Sequence, residues 1–143
     1  MSVPKWKRGD GDLNIFIESQ EFAIYIFKIT TNENVFLSVF KDTITIPLTN
    51  LARDIYLNLW KANNIRLTPN TLATRQSFQK LALQEITDFL ALWNLAKRAF
   101  HLKHNRIEYA IGKLMAIEEA TKKWMKYDIT KSKVTCDTEN NAV

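Results

Sequence analysis

The stretch KRAFHLKHNRIEYAIGKLMAIEEATKKWMKYD, residues 97–128, decides how the rest of the chain is read. Within it Ile107, Ala110, Leu114, Ile117, Thr121 and Trp124 recur at spacings of 3, 4, 3, 4 and 3. That is the inward seam of a helix packed along its length against near-antiparallel neighbours. Off the seam lie Arg106, Lys113, Lys122, Lys123 and Lys126, preceded by Lys97, Arg98, His101, Lys103 and His104. Before Asp128 the only carboxylates are Glu108, Glu118 and Glu119, so the face turned away from the seam is basic.

Working upstream, the pattern Phe78, Ala82, Ile86, Phe89, Trp93, Ala96, Phe100 predicts a helix opening at Thr74 or at an earlier Thr or Asn. Lys80, Gln84, Asp88, Asn94 and Arg98 fall on its opposite face, and a break at 101–104 reverses the chain. Before it, Leu48, Leu51, Ala52, Ile55, Leu59 and Ala62 mark another helix. Its start is placed between Thr43 and Pro47, since Thr caps and Pro is tolerated in a first turn. It is expected to stop at Asn63 or Asn64 in the left-handed conformation. From Asn14 to Thr30 the positions Ile15, Ser19, Phe22, Ile26 and Ile29, widened by Phe16, Ala23 and Phe27, follow helical spacing. The β-branched and aromatic residues there also allow a hairpin with the 35–46 stretch as its second strand.

These segments predict an all-α, antiparallel up-down four-helix bundle over residues 13–128. Residues 1–12, polar and broken by glycine, read as a flexible arm, and 129–143, without periodicity, as a disordered tail. Leu83, Leu90, Leu92, Ile111 and Met115 lie beside the core stripes, as do Leu81, Leu95 and Met125. An exposed patch of this kind usually marks an interface, so the first five are expected to serve self-association; a thicker bundle would bury them instead. Trp93 and Trp124 fall on seams and belong to the core, whereas Tyr56 and Trp60 lie off the main stripe of their helix.

At 143 residues the chain has room for one domain, and 46% hydrophobic with 24% charged residues is the composition of a globular protein. No apolar run approaches the ~18 residues of a membrane span, and the basic N-terminus is not followed by a signal-peptide core. With one cysteine, Cys136, a cytoplasmic setting without membrane attachment is expected. The net charge of +5 fits a polyanionic partner. His101, His104 and Glu108 have metal-ligating side chains, but they straddle a helix start that fixes no ligand geometry, so no metal is expected. No glycine-rich phosphate loop, nucleophile with base, or pocketed carboxylate pair is visible, so neither an enzyme nor a cofactor is expected. Glu118 and Glu119 are partners for Lys122 and Lys123 at i+4.

Several stretches resemble the accessory variability determinant family, the small bundle proteins that accompany reverse transcriptases in diversity-generating retroelements. They are Phe40-Lys41, Leu59-Trp60-Lys61-Ala62-Asn63, the run from Arg75 to Leu83, Leu102-Lys103, Arg106-Ile107-Glu108-Tyr109, and Trp124-Met125-Lys126-Tyr127-Asp128. The resemblance extends over about residues 22–128. The resemblance implies a homopentameric barrel of four-helix bundles that binds the reverse transcriptase, RNA and DNA, supports mutagenic cDNA synthesis and has no enzymatic activity or small-molecule substrate. Arg98, Lys103, Arg106, Lys113, Lys122, Lys123 and Lys126 are the candidate phosphate contacts. The alternative is a self-assembling structural bundle without a nucleic-acid role, of the kind found as 23S rRNA intervening-sequence proteins.

Overall fold

The structure, a computed structural model, describes the backbone of residues 14–141 and the side chains of residues 14–133. The predicted arm at 1–12 lies outside the described residues. Among them are four α-helices and no strand: α1, Ile15–Ile29; α2, Ile46–Asn64; α3, Leu72–Phe100; and α4, His104–Asn141. The hairpin reading of 22–46 is thereby excluded. None of these helices is long and apolar enough to cross a membrane, among the described residues.

Local chemistry sets each boundary. Asn14 caps α1, its Oδ1 accepting from the backbone N–H groups of Phe16 and Ile17 at 3.1 and 3.2 Å. Thr30 closes α1 by donating its hydroxyl to the Ile26 carbonyl at 2.8 Å. The segment 38–45 is neither strand nor open loop. A 3₁₀ turn at Ser38–Phe40 runs into a π-turn at Lys41–Thr45 and then directly into α2. The expected threonine cap is absent, because Thr45 already has helical dihedrals and makes no capping bond. Pro47 accounts for the wider turn: it has no N–H for residue 43, and the Ile46 N–H reaches back to the Lys41 carbonyl instead.

α2 ends at Asn64, but not on a left-handed asparagine. Ile65 is extended (φ −84°, ψ 117°), which turns its carbonyl toward the Nη1 of Arg75, 2.7 Å away. Thr68 and Thr71 knot the approach to α3. The Thr71 N–H donates to the Thr68 hydroxyl at 3.2 Å, and the Thr71 hydroxyl donates to the Arg66 carbonyl at 2.6 Å. α3 stops at His101, the only non-glycine residue with positive φ (51°) among the described residues. α4 does not stop at Asp128. It continues to Asn141, and Asp128 and Ser132 are buried, so the seam carries on through polar residues that a search for apolar spacing passes over.

α1 packs on α2 and α4, and α3 on the same two helices, so the four close around one core. Aromatic contacts pin this order. Phe16 meets Trp60 and Trp124 edge-on, Phe22 meets Phe89 at 5.1 Å, and Phe36 folds onto Phe100 at 5.0 Å. The predicted seam of α4, from Ile107 to Trp124, is buried throughout, and Trp93 is buried with it. Two inward assignments need correction. Phe27 is exposed on the outer side of α1, and at the opening of α3 the fully buried residue is Gln79, with Phe78 half-buried beside it. Leu83, Leu90, Leu92 and Ile111 are half-buried against the core, and Met115 alone of the five is exposed. The larger share of exposed apolar side chains belongs to α1, α2 and their connection, including Ile17, Ile24, Val39, Ile46 and Leu57.

Candidate nucleic-acid interface

The cations divide by what holds them. Lys113 is committed: its ammonium lies 2.6 Å from Glu18 and 3.2 Å from Glu21 of α1, and 5.8 Å from the Tyr109 ring. The bond from Glu18 raises its pKa above the ordinary lysine value despite some burial. Arg106 is half-buried on the same side, where its charge partly offsets the upward push of burial on the Tyr25 phenol. Lys122 and Lys123 pair with Glu118 at 2.7 Å and Glu119 at 3.6 Å on their own helix, as the i+4 spacing predicts. Lys126 is exposed, about 34 Å along α4 from Lys103 at 1.5 Å per residue. The seven candidate cations therefore do not form one patch.

A tighter group forms where α3 turns into α4. Phe100 and Leu102 are buried and anchor the turn from inside, while His101 in its left-handed conformation ends α3. The Lys103 carbonyl accepts from the N–H groups of Arg106 and Ile107, both at 3.1 Å, and starts α4. This fixes the side chains of Lys97, Arg98, His101, Lys103 and His104 on the outside of one corner, all of them exposed. None of the three permanent cations there is in an ion pair with a described residue. Lys97 and Arg98 also occupy the last turn of α3, where positive charge is favoured by the helix dipole. Such a corner can meet adjacent phosphates without first breaking an internal contact. Of the candidate set, it brings together Arg98 and Lys103. Lys97, His101 and His104 join them, and their signal was the sequence contiguity of the basic run.

Sequence reasoning missed the second ionic feature, which is buried. Arg75, at the opening of α3, donates through Nε to Asp128 Oδ2 at 2.7 Å and through Nη2 to Oδ1 at 3.3 Å. Its Nη1 donates to the Ile65 carbonyl, and its guanidinium sits 5.0 Å from the centre of the Trp124 ring. Gln79 adds a third bond to Asp128, at 3.0 Å. Every donor direction of the arginine used here ends inside the protein, so this pair is structural. His101, His104 and Glu108 are all exposed, and no group of three metal-ligating side chains occurs among the described residues. No family model, no curated protein and no solved structure matches this chain.

Proposed function

We propose that the protein is a non-enzymatic, nucleic-acid-binding accessory subunit of a retroelement reverse transcriptase. In this reading four antiparallel up-down helices form the protomer, five protomers form a ring in the cytoplasm, and the ring holds template RNA beside the polymerase. The observation that carries it is the α3–α4 corner, where Lys97, Arg98 and Lys103 are exposed and in no ion pair with a described residue, whereas Lys113, Lys122 and Lys123 are held by carboxylates. Phosphate contacts there supply affinity, and repetition around a ring multiplies them. The stretches quoted above for the family resemblance support the choice of partner.

The test is an RNA gel shift over a salt series with two triple reversals, Lys97→Glu/Arg98→Glu/Lys103→Glu and Lys122→Glu/Lys123→Glu/Lys126→Glu. The corner variant is expected to lose binding, with the salt slope falling by about 2–3 as three phosphate contacts disappear. The other variant should bind more weakly at most. An unchanged slope in the corner variant overturns the assignment. Light scattering on the wild type should report five times the 16.7 kDa chain.

The local pairing of Lys122 with Glu118 and Lys123 with Glu119 favours a second reading, in which charge only solubilises a self-assembling structural bundle. Under it, neither reversal changes anything but solubility.

A further inference from the structure

Away from the basic corner, the connection between α1 and α2 encloses a groove of about 420 Å³, within the range that small-molecule sites occupy. Three separate observations converge on it. One wall is the π-turn Lys41–Thr45, a backbone form that is frequent at functional positions and is set here by Pro47. Thr45, which ends that turn and lines the groove, has a buried hydroxyl without a hydrogen-bond partner among the described residues. The third is the chemistry of the remaining lining.

Thr30, Thr31 and Thr49 line the groove, and each has already donated its single hydroxyl proton to a helix carbonyl: to Ile26 at 2.8 Å, Lys28 at 2.7 Å and Ile46 at 2.8 Å. A hydroxyl so committed has only lone pairs left to offer, so these three can accept but not donate. That wall suits a ligand rich in N–H. Glu33 and Lys41 line the same groove, are exposed, and take part in no ion pair with a described residue. Between the polar groups, Phe27 and Ile46 leave apolar surface open to solvent.

We propose that this groove binds a small zwitterion, an α-amino acid with an apolar side chain. The ammonium is received by the threonine oxygens and the Glu33 carboxylate, the carboxylate by the Lys41 ammonium, and the side chain lies on Phe27 and Ile46. The inference is independent of the nucleic-acid reading, since it uses none of the corner cations.

The experiment is a titration of the ¹⁵N-labelled full chain with L-phenylalanine and with L-leucine, followed by amide chemical shifts. N-acetyl-L-phenylalanine, which lacks the ammonium, and phenethylamine, which lacks the carboxylate, are the controls. Saturable shifts at Thr30, Thr31 and Thr45 are expected with at least one amino acid below about 10 mM, and at least about tenfold weaker binding of both controls. Glu33→Gln and Lys41→Met should each weaken the amino acid by a similar factor without moving the melting temperature, because both side chains are exposed and in no ion pair with a described residue. Thr45→Val should keep the fold, as it removes a hydroxyl that has no partner among the described residues. The proposal is overturned if neither amino acid gives saturable shifts, if either control binds equally well, or if neither rim substitution weakens binding.

Discussion

The two ends of the α3–α4 pair treat the same kind of residue in opposite ways. At the corner, Arg98, Lys97 and Lys103 face solvent and form no ion pair with a described residue. About 34 Å away along α3, Arg75 is sealed between α2, α3 and α4 with its fork filled by Asp128 and the Ile65 carbonyl. Desolvating a guanidinium costs several kcal/mol unless all its donors are met, so the buried end is committed to holding the helices in one register. The exposed end carries no such obligation. Fitness for binding thus follows from what a cation is left without, and not from how many cations a segment contains.

The largest effect that would break this contrast is expected at the buried end. Asp128→Ala leaves Arg75 charged, enclosed and short of two bonds, and should cost about 3–5 kcal/mol in chemical denaturation. The double variant Arg75→Met/Asp128→Leu should recover most of that loss, because an apolar pair of similar volume is often as stable as the ions it replaces. A double variant as unstable as the single one would show that Ile65 and Gln79, not charge burial, dominate the site.

A smaller effect belongs to Lys113, which stands between the two extremes. Lys113→Met should cost about 1 kcal/mol at neutral pH, since the pair with Glu18 is only partly shielded. The folded pKa of this lysine is raised, so its contribution is fully present below the ordinary lysine value near ~10.4 and is lost as pH rises through the folded value. Melting curves of wild type and variant should therefore converge only at strongly alkaline pH.

Glu85 tests the opposite sign. Burial first of all raises its pKa, and the hydrogen bond from Asn58 only partly offsets this. The folded state then binds the proton more tightly, so the penalty is present at neutral pH and disappears as pH falls through the folded value toward the ordinary one. Glu85→Gln should raise the melting temperature at pH 7 by about 1–2 °C, with the gain vanishing in acid. Smallest of all, Lys103→Met, outside both helices and exposed, should change stability by less than about 0.5 kcal/mol, whatever it does to RNA binding.

The helices were legible because the core positions recur with the helical period: each residue from Ile107 to Trp124 on the seam is buried. What failed was the polar part of the same seam. Arg75, Gln79 and Asp128 occupy inward positions, but their fitness to be there depends on partners 49 to 53 residues away or on the end of another helix. The left-handed asparagine expected after α2 failed for a related reason, since the Ile65 carbonyl is recruited by Arg75. The basic corner was legible as a run of contiguous residues. That Lys113 does not belong with it was hidden, because Glu18 and Glu21 are 95 and 92 positions distant.

The guanidinium that lies over Trp124 also makes the buried lock optically addressable. An indole emits at an energy set by the electric field across its ring, and here a fixed cation stands 5.0 Å from the ring centre. Trp93 lies elsewhere in the core, stacked on Phe89, and Trp60 is partly in solvent, so the three described indoles sample distinct surroundings. Opening the Arg75–Asp128 pair alters the field at Trp124, so emission wavelength reports the state of this lock while far-ultraviolet ellipticity reports the helices, and coincident transitions would show that the two are lost together.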